Sequence, residues 1–210
     1  VLKLLVVDWD YFFMDPRCST GRRETKEFMV DYWEKRKPEL MEWFGRLPDT
    51  LDMEIGFWDR FTFSPAASGY YADSNRYAYR EDWVDLVDEI WLFDAHHDGG
   101  YQGDVWEACF RGFFNCDDWL IGYPLAKVHM RYPKWREVIP ENKEPAVKMD
   151  RQYDDGLKVP VVFDRVFVCR SSPWTPPWLD ARFDAFVSAC PVPLVCVEPL
   201  MNRQCVEVPS

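Results

Sequence analysis

The sequence predicts an α/β domain built on a mostly parallel sheet. Two observations carry that prediction. Short apolar runs such as residues 2–7 lack the in–out alternation of a half-exposed strand and read as strands buried on both faces. Between these runs lie segments with apolar residues at helical spacing, and strands alternating with helices are the pattern of crossover connections in a parallel sheet. The 210 residues suit one domain over 1–210, and a 48% hydrophobic content supplies a real core, which excludes global disorder.

In chain order, residues 2–7 form a strand that stops at Asp8, followed by a loop near 15–21. Phe28, Tyr32 and Trp33 share a helix face, which Pro38 breaks or restarts because proline suits a first helical turn and not an interior. Leu40, Trp43, Phe44 and Leu47 form a second amphipathic segment, ended by Pro48. Residues 53–63 read as extended and 64–79 as a loop. Trp83, Leu86, Val87 and Ile90 recur at helical spacing and lead into a short strand, 90–93, ending at Asp94. Two helices follow over 104–114 and 117–126, with Asp104 and Asp117 as N-caps. Residues 128–132 form a strand stopped by Pro133, and 133–159 is a polar, proline-containing excursion. A strand over 161–169, a helix opened by Pro177 and a last buried strand over 194–197 complete the chain.

The formal net charge of −11 argues against a nucleic-acid binder, whose affinity rests on neutralising phosphates. It suits a soluble protein and a carboxylate-rich site that a cation neutralises. No apolar stretch approaches the ~18 residues of a membrane span, and residues 4–8 do not read as a signal peptide. The seven cysteines form no CxxC pair, which argues against a zinc knuckle or a thioredoxin motif. They read as reduced, mostly buried thiols, the usage expected of a cytoplasmic protein. The aromatic share of 17% reads as a large aromatic core rather than a stacking surface.

Chemistry concentrates at two strand ends. One carries Asp8-Trp9-Asp10-Tyr11-Phe12, the other Asp94-Ala95-His96-His97-Asp98. Sites in parallel sheets form outside the carboxyl ends of the strands. Carboxylates converging there repel one another unless a divalent cation neutralises them. Alternate residues of an extended segment point the same way, so Asp94, His96 and Asp98 face one ion, as do Asp8 and Asp10. Mixed carboxylate and imidazole donors favour Mn, Fe or Zn. His97, with an ordinary pKa near neutrality, is the candidate for proton transfer. Arg170 and Ser171 follow a strand and are candidates for substrate contact.

Asp94-Ala95-His96-His97-Asp98 resembles the D-A-H-x-D signature of the arginase/deacetylase (ureohydrolase) superfamily, and Asp8-Trp9-Asp10-Tyr11-Phe12 is similar to the D-x-D-[FY]-F form of its arginase-like branch. The stretches 118–120, 128–133 and 168–175 also resemble that branch. The resemblance implies a three-layer α/β sandwich and one or two Mn or Zn ions held by Asp8, Asp10, Asp94, His96 and Asp98. It also implies hydrolysis of a C–N bond, amide or amidine/guanidine, of a small molecule by a metal-activated water, with Asp98 at the reacting centre. Glu198, after the last strand, matches a glutamate that helps hold substrate in ureohydrolases. The D-x-D stretch here precedes D-A-H-x-D, the reverse of the order in arginases, and His97 or His129 is the candidate for a further histidine ligand. Two other readings start from the same residues. One is a haloacid-dehalogenase-like phosphatase with Asp8 as nucleophile and Asp10 as acid/base. The other is a non-catalytic binding protein on a degenerate hydrolase fold.

Overall fold

A computed structural model describes residues 1–14, 25–49, 54–100, 104–141 and 143–203. Its strands are β1 (Leu2–Asp8), β2 (Thr62–Ala72), β3 (Val87–Phe93), β4 (Lys127–Tyr132), β5 (Met149–Tyr153), β6 (Val162–Cys169) and β7 (Leu194–Cys196). They form one sheet in the order β5-β4-β3-β1-β6-β2-β7, and every neighbouring pair is parallel. The helices are α1 (Lys26–Phe44), α2 (Asp104–Arg111) and α3 (Asp180–Ser188). The fold is thus mixed α/β on a parallel sheet, as the sequence predicts.

β1 lacks alternation because both of its faces are covered. Leu5 and Val7 join a core with Phe93, Val166, Phe183 and Phe186, under α3 and the 3₁₀ turn Phe57–Arg60. Leu4 and Val6 join the opposite core with Leu92, Phe167, Trp83, Trp119 and Tyr123. All four are fully buried, and each such side chain contributes about 1.5–3 kcal/mol. Among the described residues the second face is covered by turns rather than helices, with the 3₁₀ segments Asn75–Ala78 and Trp119–Gly122 lying over it. The 17% aromatic share is spent largely inside: Trp9, Trp33, Trp119, Tyr11, Tyr123 and Phe12 are among the largest fully buried side chains.

Several elements differ from expectation. Pro38 does not divide α1, which runs through it. Proline withholds one helical hydrogen bond, but Trp33 and Leu40 on either side of it are buried in a shared cluster with Phe13 and Leu179, which holds both halves in line. The helix stops at Gly45, whose φ of 67° closes its last turn, so Leu47 lies beyond it. Residues 64–72 are strand β2, not loop. Its first half is partly exposed and rich in small residues, so it carries no periodic apolar signal. Gly69 is obligatory there, since a Cβ would lie 2.3 Å from the Val166 carbonyl oxygen.

The extended reading of 53–63 gives way to the 3₁₀ turn Phe57–Arg60, entered through Gly56 at φ 71°. Met53 lies outside the described residues. The helical spacing of Trp83, Leu86, Val87 and Ile90 belongs to a turn and the start of β3, with Leu86 exposed. The helix expected over 117–126 is only the 3₁₀ segment Trp119–Gly122. The excursion 133–159 contributes the edge strand β5 and a 3₁₀ turn, Lys134–Glu137. β7 is likewise an edge strand and is not fully buried. Among the described residues no helix is long and apolar enough to cross a membrane.

Candidate metal centre

β3, β1 and β6 lie side by side, so their carboxyl ends meet at one edge of the sheet. Val7 pairs with Phe93, and Asp8 pairs with Cys169. Asp8 and Asp94 therefore leave neighbouring strands at the same level. After Asp8 the chain enters the 3₁₀ turn Trp9–Phe12, which Asp8 caps by accepting the Asp10 N–H at 3.1 Å. Trp9 and Phe12 are buried in the core beneath α3. Their burial fixes the turn and brings Asp10 back over the sheet edge, where its Oδ1 accepts the Ala95 N–H at 3.2 Å.

Two groups of donor atoms result. Asp8, Asp94 and Asp98 form one, and Asp10, Asp94 and His96 the other; within each group the ligand atoms all lie within 4.8 Å of one another. Asp94 belongs to both. All five carboxylate and imidazole residues named from the sequence as metal ligands are thus brought together, but in other sets than expected. Asp98 does not join Asp94 and His96, and Asp8 and Asp10 fall in different groups, because 94–98 is not extended and the 3₁₀ turn after Asp8 carries Asp10 to the other side. His96 Nδ1 lies 2.8 Å from Asp10 Oδ2, and its ring packs 4.6 Å from that of Trp174. His96 is the only member of either group that is not buried, so the cluster opens to solvent beside it.

Three further side chains hold the carboxylates. Asn75 Nδ2 lies 2.6 Å from Asp8 Oδ2, 2.7 Å from Asp98 Oδ2 and 3.4 Å from Asp94 Oδ2. The Trp119 indole N–H donates to Asp98 Oδ2 at 2.8 Å. The Ser171 side chain hydrogen-bonds to Asp8. Asp98 and Ser171, at φ 49° and 55°, are the only non-glycine residues with positive φ among the described residues. Both strained positions thus border the cluster, where backbone strain is retained for a reason other than packing.

The electrostatics are those of charge without enough compensation. Burial, and then repulsion by neighbouring carboxylates, raises the pKa of Asp8 and of Asp94 well above the ordinary carboxyl range. Burial does the same to Asp98, partly offset by the Trp119 bond. Asp10 is the exception: burial raises it, but the charge and hydrogen bond of His96 bring it below its ordinary value. A divalent cation would relieve this strain, and carboxylate and imidazole donors suit Mn, Fe or Zn. The residues present therefore fit a bound divalent ion.

Other candidates lie elsewhere. His97 belongs to neither group. Its Nδ1 accepts the Gly99 N–H at 3.1 Å and its Nε2 faces Glu141 at 3.8 Å. With Asp10 and Asp94 holding His96 over the cluster, the next side chain in the chain is turned away from it. Burial also lowers the His97 pKa. His129 lies on β4 between Glu89 and Asp150, stacked on Trp91, and does not serve as a further ligand. Arg170 is committed inward: Nε donates to Asp73 Oδ1 at 2.5 Å, Nη1 lies 3.3 Å from Asp180, and Nη2 donates to the Met201 carbonyl. It braces the loop bearing Ser171 rather than facing a substrate. Glu198 is half-exposed, 3.8 Å from Arg76, and belongs to neither donor group.

Sequence reasoning did not single out Asn75, and it met Trp119 and Trp174 only within the resembling stretches 118–120 and 168–175, with no role for either. Asn75 stands in a Ser-Asn turn after a strand that has no sequence signal, and a lone asparagine in such a turn reads as turn chemistry. Comparison with known protein families, curated proteins and solved structures returns no match. What the geometry defines is therefore a class of site: buried Asp and His clusters able to coordinate a divalent metal, at the carboxyl edge of a parallel α/β sheet.

Proposed function

We propose that the chain is a metal-dependent hydrolase that cleaves a C–N bond, amide or guanidine, of a small molecule, and that it is an arginase/deacetylase-like protein. The observation that carries this reading is the pair of donor groups sharing Asp94 across two adjacent strand ends. When bound there, a divalent ion supplies a Lewis-acid centre that brings the pKa of a coordinated water toward neutrality. The protein's own part is to hold the carboxylates. Trp119, Ser171 and the Asp10–Ala95 bond fix their directions, so little reorganisation accompanies reaction. His96, beside the opening and paired with Asp10, is the side chain nearest an incoming substrate, and the Trp174 ring forms the wall next to it.

The test is chelator-stripped protein reloaded with Mn or Zn and assayed on a panel of amides and guanidines. Activity that depends on the reloaded ion supports the proposal. In-line capture of a vanadate or beryllofluoride mimic at Asp8, with Mg alongside, would replace it with the phosphatase reading.

A further inference from the structure

Asn75 is 2% exposed, and its amide nitrogen is aimed into the space between Asp8, Asp94 and Asp98. Its Oδ1 is buried and has no hydrogen-bond partner among the described residues. A buried amide oxygen left unsatisfied costs free energy, about 1–3 kcal/mol, so a side chain kept in that state needs a reason. Packing alone does not supply one. An apolar residue of the same shape would avoid the orphan, and the three carboxylates would then lose their shared donor.

Resting on the metal-binding reading above, we infer that Asn75 is the fourth protein ligand of the Asp8–Asp94–Asp98 group and exchanges roles with the ion. Without the ion, Nδ2 donates its two N–H groups to Asp8 and Asp98, with Asp94 Oδ2 3.4 Å away, and reduces the mutual repulsion of the three carboxylates. With it, a half-turn of the amide presents Oδ1, a neutral oxygen donor, to the cation. The group then offers oxygen donors only, the set that suits Mn and Mg, while the Asp10–Asp94–His96 group keeps an imidazole. The turn that carries Asn75 is anchored at its entry. The Ser74 side chain caps it, and the Asp73 carboxylate accepts from Arg170, Ser172 and the Met201 N–H. The amide can therefore rotate without the backbone moving.

The experiment is Mn²⁺ titration of the chelator-stripped chain by calorimetry, with thermal melts at each loading. Asn75→Ala should weaken binding at one of the two groups about 10- to 100-fold, the range seen when a metal site loses a supporting partner. In an Asp10→Asn background, which cripples the other group, the remaining binding should weaken by the same factor. Asn75→Asp gives an independent sign. It adds a fourth carboxylate, so the ion-free melting temperature should fall while the Mn-induced rise becomes larger than in the parent chain. A merely structural amide predicts the fall and an unchanged Mn-induced rise. If Asn75→Ala does not fold, the Asn75→Asp melts decide. Parent-like Mn affinity in Asn75→Ala, or a Mn-induced rise no larger than the parent's in Asn75→Asp, overturns the assignment of Asn75 alone. Absence of Mn binding by the parent chain overturns the metal reading and this inference with it.

Discussion

Replacing Asp94 with Asn should have opposite effects on the ion-free and the ion-loaded protein. Asp94 is fully buried, and its charged form is disfavoured by burial and by Asp98, Asp8 and Asp10. The neutral amide still accepts the His96 N–H where Asp94 Oδ1 accepts it at 2.8 Å. The ion-free protein should therefore melt no lower than the parent, and higher as pH rises above the ordinary carboxyl range. The loaded protein should lose both donor groups at once, since Asp94 is their common member. Taking the loss of one charged ligand as at least about 100-fold in affinity, binding weakens by roughly 2.7 kcal/mol. At a Mn concentration 100 times the parent's Kd, the parent gains about 2.7 kcal/mol of stability and the variant about 0.4. For a chain of this size 1 kcal/mol moves the midpoint by about 2–4 °C, so the Mn-induced shifts should be roughly 5–11 °C and 1–2 °C. Differential scanning fluorimetry with and without Mn reads both. Equal Mn-induced shifts in parent and variant would refute the idea that the two groups share an ion-binding carboxylate.

Three further expectations concern the scaffold. Arg60→Gln should cost about 3–5 kcal/mol near neutrality, because it breaks a buried pair in which Arg60 donates to both Asp154 oxygens at 2.7 and 2.5 Å. Burial raises the Asp154 pKa, but the Arg60 and Tyr11 bonds more than reverse this. That stability is thus present above the unfolded carboxyl value of about 3.9 and lost as pH falls through the lower folded value, so parent and variant urea curves should converge in acid. Gly69→Ala should destabilise by roughly 1–3 kcal/mol, since the new methyl meets the Val166 carbonyl at 2.3 Å and Leu194 Cδ2 at 2.6 Å; an unchanged denaturation midpoint would contradict the close approach of β2 to its neighbours. Arg203→Met should cost about 3–5 kcal/mol, because Arg203 pairs with Asp180 and donates to the Ser172 and Thr175 carbonyls at 2.6 and 2.5 Å; Mn affinity should fall along with the melt, since those carbonyls belong to the loop that positions Ser171.

What could be read from the sequence follows from which signals are local. β1, β3 and β6 are visible because burial on both faces demands apolar runs that end at the site, and β4 because Val128, Met130 and Tyr132 alternate with polar residues before Pro133. The five carboxylate and imidazole residues are visible because they sit directly after two of those runs. β2 and β5 are not, since the small, partly exposed residues of β2 and the charged residues of the edge strand β5 leave no periodic apolar pattern. His97 shows the limit of spacing arguments. The residues 94–98 are not extended, because Asp98 enters the cluster through a left-handed conformation, and only the fold decides which neighbouring histidine faces inward. Arg170 and Glu198 were read from position after a strand, which cannot distinguish a brace from a ligand. Asn75 depends wholly on tertiary placement.

The strand order has a consequence for how the chain is made. β1 is made before the other strands of the sheet, yet one of its two partners is β6, and the Lys3 N–H bonds to Asp164, 161 residues away. Until β6 emerges, a β1–β3 pair carries a bare row of N–H and C=O groups along β1, flanked by fully buried apolar side chains. At about 5–20 residues per second that interval lasts several seconds during synthesis. Pairing so distant in sequence is also slow to find in a free chain, because loop closure must precede any gain from contact. The nascent chain therefore passes through a stage at which one edge of its central strand is bare, and only the arrival of β6 covers it.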